Sequence, residues 1–306
     1  MPRDLFSPTS NDLNQLGMKW IFENFERVFE PGEVAAGLEA IRAKLGETLS
    51  KKEMKLALSC IDLTTLSAED TQEKGRNLAE KVSLFPRHFI ELPNVAAICV
   101  YPTLVKSVKK NLKDTKVAIA AVAGGFPSSM TFIEVKEMES AMAVSAGANE
   151  IDIVISIGTF LEGNTSEMMQ EISRIKKSCG EAHLKVILET GALKTPENIW
   201  KASILSMQAG ADFIKTSTGK MEPAATPEAA FVMCSAIREF YQRTGRKIGF
   251  KAAGGIVESA DALYYLAIVR EILGEEWMNP RLLRIGASRL ANNLLTAITE
   301  EKISYF

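Results

Sequence analysis

Leu184-Lys-Val-Ile-Leu-Glu-Thr190, followed by Thr195-Pro-Glu197 and then by Asp212-Phe-Ile-Lys-Thr-Ser217, is the stretch on which the fold turns. Two short, mainly apolar runs flank a longer amphipathic segment, 196–209. Its start carries a threonine N-cap, a proline at the first helical position and an acidic first turn. The pattern predicts strand, helix, strand, with the strands buried on both faces and therefore parallel.

The same rhythm repeats on either side. Buried strands are predicted at 57–62, 95–101, 117–122, 150–156, 184–190, 212–217, 247–252 and 282–287. The clearest helices are 67–82, 132–146, 166–178, 196–209, 227–241 and 260–273. Thr226-Pro-Glu228 repeats the start signal, and Ser67-Ala-Glu-Asp70 reads as a capping box with Asp in place of Glu. Eight strand–helix units in series predict an α/β chain with a closed (β/α)8 TIM barrel over residues 56–306. An open doubly wound sheet is the alternative, but no Gly-x-Gly-x-x-Gly follows the first strand. Residues 1–55 fall outside the rhythm. Helical segments around 12–29 and 33–45 make them an N-terminal helical extension, read as a cap on the barrel, with partner binding as the alternative.

The 306 residues are 46% hydrophobic and 24% charged, ordinary for a soluble globular protein with a full-size core. The net charge of −2 implies no bulk attraction to nucleic acid or an anionic membrane, so any anion site must be local. No run reaches the ~18 apolar residues needed to span a membrane. The polar first ten residues lack the apolar run of a secretory leader. Cys60, Cys99, Cys179 and Cys234 form no C-x-x-C pair, and a reducing, cytoplasmic setting is expected. The only histidines are His88 and His183, too few for a dedicated transition-metal site. Self-association is expected only on the general ground that soluble enzymes are commonly dimers.

In a barrel of this kind the chemistry sits at the C-terminal ends of the strands. The polar residues there are Asp62, Thr64, Asp152, Lys185, Glu189, Lys215–Thr218, Lys220 and Lys251. The strongest signal is Phe213-Ile-Lys-Thr-Ser-Thr-Gly-Lys220. A lysine in a buried strand is costly unless neutral or paired. Lys251, in Gly249-Phe-Lys-Ala-Ala-Gly-Gly255, lies one strand further on, and adjacent strands are about 5 Å apart. Two ammonium groups so placed repel, desolvation adds to the effect, and the pKa of at least one falls from about 10.4 toward neutrality. The freed amine can attack a carbonyl, form an imine and open the way to reversible carbon–carbon bond formation. Asp152 can move protons during dehydration of the carbinolamine. The alternative is that both lysines are ion-paired supports, with Asp152 and Glu189 as partners.

A phosphate site is suggested by Ser217-Thr-Gly-Lys220, Ala253-Gly-Gly255 and Gly286-Ala-Ser288, three glycine-bearing loops after late strands. Cys99, in an apolar strand with no histidine to activate it, reads as a core or pocket-lining thiol. The basic run 106–113 reads as a solvated helix face.

Asp62-Leu-Thr-Thr-Leu66, Ala96-Ala-Ile-Cys-Val-Tyr-Pro102, Glu150-Ile-Asp-Ile-Val154, Lys185-Val-Ile-Leu-Glu-Thr-Gly191, the two lysine segments and Arg284-Ile-Gly-Ala-Ser288 together resemble the motifs of deoxyribose-phosphate aldolases, in that family's order, over 56–295. The resemblance implies reversible cleavage of 2-deoxy-D-ribose 5-phosphate to acetaldehyde and D-glyceraldehyde 3-phosphate, without a cofactor. It implies that Lys215 forms the imine, that Lys251 lowers its pKa and that Asp152 assists proton transfer with a water. Lys220, Gly219, Gly254, Gly255, Gly286 and Ser288 match the family's phosphate pocket. Asp62, Thr64, Cys99 and Lys185 are expected at the substrate. Two positions depart from the family pattern: Val257 stands where an arginine is common, and Arg289 where a second serine is common. Ala252 replaces a frequent proline, and Tyr305 loosely matches a C-terminal tyrosine that swings toward the site in some members.

Overall fold

The computed structural model describes residues 25–47 and 50–306. Eight strands close into a parallel barrel in chain order. They are β1 (Ile61–Thr64), β2 (Ala97–Val100), β3 (Ala118–Val122), β4 (Glu150–Val154), β5 (His183–Ile187), β6 (Phe213–Lys215), β7 (Gly249–Ala253) and β8 (Leu283–Ala287). Helices between the strands wrap the outside. Thr195 and Thr226 act as the expected caps, accepting from Asn198 N at 3.2 Å and from Ala229 N at 3.1 Å.

The pleat divides each strand between two environments. Outward residues such as Ile61, Leu63, Ile151, Ile153, Val186, Ile214, Phe250 and Ile285 join the main core beneath the helices. Inward residues are of two kinds. On β2 and β3 they are small and apolar, with Ala97, Cys99, Ala120 and Val122 clustered against Leu66. On the other strands they include Asp62, Glu150, Asp152, Lys185, Lys215, Lys251 and Arg284, all buried. Gly249 is required at the floor, since a Cβ there would stand 2.2 Å from the Phe213 ring.

The expectations for the first strand and the first helix need correction. The first strand is not 57–62, because Lys51–Ser59 is a helix and β1 begins at Ile61. Ser50 caps that helix by accepting from Glu53 N at 3.3 Å, and Ala57 and Leu58 are its buried face. The helix therefore crosses the expected boundary at residue 55. The helix expected from Ser67 starts later, as Gln72–His88 with Thr71 as its cap. Ser67 to Asp70 form a turn instead, in which the Asp70 carboxylate accepts from Ser67 N at 3.0 Å and Thr65 Oγ1 at 2.8 Å. Tyr305 lines neither cavity at the barrel mouth. It packs edge-on against Phe85 and Phe89 and donates to Lys81 O at 2.7 Å.

Most of the predicted segment 12–29 lies outside the described residues. Its end docks on the barrel's helices: Trp200 Nε1 donates to Phe25 O at 2.7 Å, and Phe25 stacks on Phe240 at 5.9 Å. Helix Glu33–Ala43 packs against Pro227–Thr244 and Ser259–Leu273. No helix among the described residues is long and apolar enough to cross a membrane.

Candidate active site

Parallel register decides which inward residues meet. Lys215 pairs across with Lys251, Asp152 with Lys185, and Lys251 with Arg284. The result is one ionic network through the barrel interior. Lys215 Nζ donates to Asp152 Oδ2 at 2.9 Å. Lys251 Nζ reaches the same oxygen at 2.8 Å and also donates to Asp62. Lys185 is held by Glu150, by Asp152 Oδ1 at 3.2 Å and by Asp62 Oδ2 at 3.3 Å. Arg284 forks onto Glu150 and Asp62 at 2.6–3.0 Å.

Three carboxylates therefore face four cations, and the contacts decide which cation is the odd one. Lys185 touches three carboxylates, while Lys251 and Arg284 touch two each; Lys215 touches only Asp152. With Lys215 as a neutral amine the interior balances at three charges of each sign. The electrostatics run the same way. Burial, reinforced by the charge of Lys251 and opposed by Asp152, holds the Lys215 pKa below the usual lysine range. Lys251 is also desolvated, but Asp152 and Asp62 outweigh that and hold its pKa above the usual range. Lys185 and Arg284 are shifted upward in the same manner. The cations in turn overcome burial and keep Asp62, Glu150 and Asp152 below the usual carboxylate range. Lysine–lysine repulsion is thus the lesser cause of the Lys215 shift, behind desolvation.

Lys215 is also the member of the network that faces the barrel mouth. It lines a cavity of about 470 Å³ at the C-terminal ends of β1, β6, β7 and β8. The cavity wall includes Thr64, Gly219, Lys220, Gly254, Gly255, Gly286 and Ser288, so three loops distant in sequence converge there. Gly219 and Gly254 both have left-handed backbones, at φ 75° and 92°. A Cβ on Gly254 would stand 2.6 Å from Ala224 Cβ and 3.1 Å from Gly219 Cα. The two loops thus press backbone to backbone, which only glycine allows. Val257 and Arg289 lie in the same wall, so Arg289 brings a guanidinium to the rim that Val257 cannot supply. A second cavity of about 610 Å³ adjoins it, sharing Thr218 and Lys220 and extending over β3, β4 and β5.

Asp62, Cys99 and Lys185 were expected at the substrate, but all are fully buried and none lines either cavity. The oxygens of Asp62 are taken by Lys185, Lys251 and Arg284, so Asp62 lies within the ionic network and not on a cavity wall. The Cys99 thiol is pushed upward in pKa by burial and sits among the small inward residues of β2 and β3. Glu189 was considered as a lysine partner and is instead bound to Thr218. Two network members, Glu150 and Arg284, were not singled out from the sequence. The signal was present: Glu150 is two residues from Asp152, and alternation puts both on the inner face.

The model of the DeoC/LacD family aldolases matches residues 56–269. The deoxyribose-phosphate aldolase of Homo sapiens is 45% identical over 248 residues, 78% of each chain. That of Mus musculus is 44% identical over 248 residues, again 78% of each chain. The tetrameric deoxyribose phosphate aldolase of Aeropyrum pernix aligns at a TM-score of 0.65 and 27% identity, covering 83% of this chain and 97% of its own. A barrel of this topology, with that family's model matched across most of it, leaves one assignment: the chain belongs to the DeoC/LacD family of aldolases.

Proposed function

We infer that the chain is a class I aldolase that reversibly cleaves 2-deoxy-D-ribose 5-phosphate to acetaldehyde and D-glyceraldehyde 3-phosphate, with Lys215 as the imine-forming nucleophile. The observation that carries the residue assignment is the charge balance. Lys215 is the one network cation with a single carboxylate contact, and it opens on the cavity.

The steps follow from that placement. The neutral amine of Lys215 attacks C1 of the open-chain sugar. Loss of water from the carbinolamine gives a protonated imine, and Asp152, 2.9 Å from the nitrogen, is the nearest carboxylate for relaying the protons through a water. The iminium draws the electron pair of the C2–C3 bond as the C3 hydroxyl loses its proton. Glyceraldehyde 3-phosphate leaves, and an enamine remains. Protonation of the enamine carbon and hydrolysis release acetaldehyde and restore the amine. Lys251 stays charged throughout, anchored on Asp62 and Asp152, and disfavours a second positive charge on Lys215. The glycine loops with Lys220, Ser288 and Arg289 supply N–H groups, a hydroxyl and positive charge for the phosphate.

Borohydride reduction with acetaldehyde tests the assignment. An ethyl adduct mapped to Lys215, and missing in Lys215→Ala, is expected; no adduct, or equal yield in both proteins, would leave the lysines as structural ion pairs.

Two properties of the whole protein complete the reading. A homo-oligomer is supported by exposed Phe132, Val135, Met138 and Met142 along helix Ile133–Ala146 and by the tetrameric relative. Light scattering of the protein and of a Phe132→Ser/Met138→Ser variant tests it. A cytoplasmic setting is supported by four free, buried cysteines.

A further inference from the structure

Glu189 follows β5 in a backbone conformation that side chains other than glycine avoid, with φ 54° and ψ 62°. It is 2% exposed. Among the described residues no cation lies within ion-pair distance of its carboxylate, although burying an unpaired charge is costly. Its oxygens instead take both donors of Thr218, the N–H at 3.2 Å and the hydroxyl at 2.5 Å. Thr218 Oγ1 in turn accepts the backbone N–H of Lys220 at 3.0 Å. The far side of the same loop is fixed separately, since Thr216 Oγ1 bridges Ala253 N at 3.0 Å and Ala253 O at 3.1 Å. The loop from Thr216 to Lys220 is therefore clamped from β7 by Ala253 and from β5 by Glu189. Gly219, backed against Gly254, and Lys220 follow directly on the Thr218 clamp.

A strained backbone and a buried carboxylate both cost stability, and neither is needed merely to end a strand. We propose that Glu189 is a positioning residue for the phosphate end of the substrate. Through Thr218 it sets where the Gly219 N–H and Lys220 stand opposite Gly254 and Gly255. The inference rests on the proposed function, because it takes those loops to be the phosphate site.

Steady-state kinetics with 2-deoxyribose 5-phosphate and with unphosphorylated 2-deoxyribose isolate the effect. Glu189→Ala raises KM for the phosphorylated sugar about tenfold or more beyond any change for the unphosphorylated one, as loss of charge-assisted hydrogen bonds implies. Glu189→Gln, which keeps the shape and can still accept from Thr218, falls between. Thr218→Val reproduces the split, and the double variant is no worse than the poorer single, because both act through one contact. Thermal melts identify variants that have lost the fold, and Glu189→Gln then carries the test. A ratio between substrates that stays within about twofold, or a kcat loss shared equally by both with KM unchanged, overturns the inference. The parent enzyme separates this from the functional reading: failure to cleave the phosphorylated sugar defeats that reading before any variant is made.

Discussion

Lys215 and Lys251 share one oxygen atom: Asp152 Oδ2 lies 2.9 Å from the first ammonium nitrogen and 2.8 Å from the second. The lysines face each other in the β6–β7 register, so without that carboxylate they would meet as bare like charges in a desolvated space. Lys251 keeps a second anchor on Asp62, and Lys215 has none. The asymmetry holds the proton on Lys251 more firmly than that on Lys215.

Asp152→Asn slows imine formation and turnover together. The neutral amide cannot relay protons during dehydration of the carbinolamine, so acetaldehyde trapping on Lys215 slows although the amine is freer of its proton. Turnover falls by about 100-fold or more for the same reason. Stability falls by about 3–5 kcal/mol, since the buried cations Lys185 and Lys251 lose a shared partner. Rapid-quench trapping beside steady-state rates measures the first two effects and urea titration the third. Full turnover in this variant would remove Asp152 from the mechanism.

The pH profile reports on Lys251. The pKa of Lys215 lies below the ordinary lysine value, so activity rises with pH through that lowered value and then levels. Lys251→Met deletes the repelling charge and leaves the attraction of Asp152 unopposed. Both changes raise the pKa of Lys215, so the acid limb moves to higher pH and activity at neutral pH falls about 100-fold. An acid limb at its original position would show that burial alone sets the amine.

Acid should unfold the barrel from within. Asp62, Glu150 and Asp152 are held below their ordinary range in the folded chain. Their contribution is full above the unfolded carboxylate pKa of about 4 and is lost as pH falls through the folded values. Tm is therefore flat near neutrality and drops steeply below about pH 4. Glu150→Gln, which leaves Lys185 and Arg284 one negative charge short, lowers Tm near neutrality and flattens the acid fall. An unchanged acid slope in that variant would contradict the account.

Two glycines should fail differently on gaining a methyl group. On Gly286 a Cβ would stand 2.9 Å from Ala253 Cβ and 3.1 Å from Lys251 Cε, so Gly286→Ala displaces Lys251 and lowers kcat. On Gly254 it would press on Ala224 and Gly219, so Gly254→Ala opens the glycine loops and raises KM for the phosphorylated sugar. Overpacking costs about 1–3 kcal/mol in each. The same kinetic defect in both would mean that the lysine and phosphate regions are not separable.

The fold was legible because repetition is written in sequence. Helix starts such as Thr195-Pro-Glu197 are local chemistry, and the apolar runs of β4 to β8 alternate with them regularly. Lys215, Lys251 and Asp152 were legible because a charge in an apolar strand is costly enough to stand out. The sequence misled where local cues competed: Ala57 and Leu58 suit a strand or a helix, and the Ser50 cap decided for the helix. It was silent where the answer depends on what lies across the barrel. Nothing near Lys215 says that it has one carboxylate and Lys185 three, because those partners come from other strands through register and closure. The residues that could bear charge were thus visible in the chain. Which of them keeps it was decided only when eight strands closed and three carboxylates had to be divided among four cations.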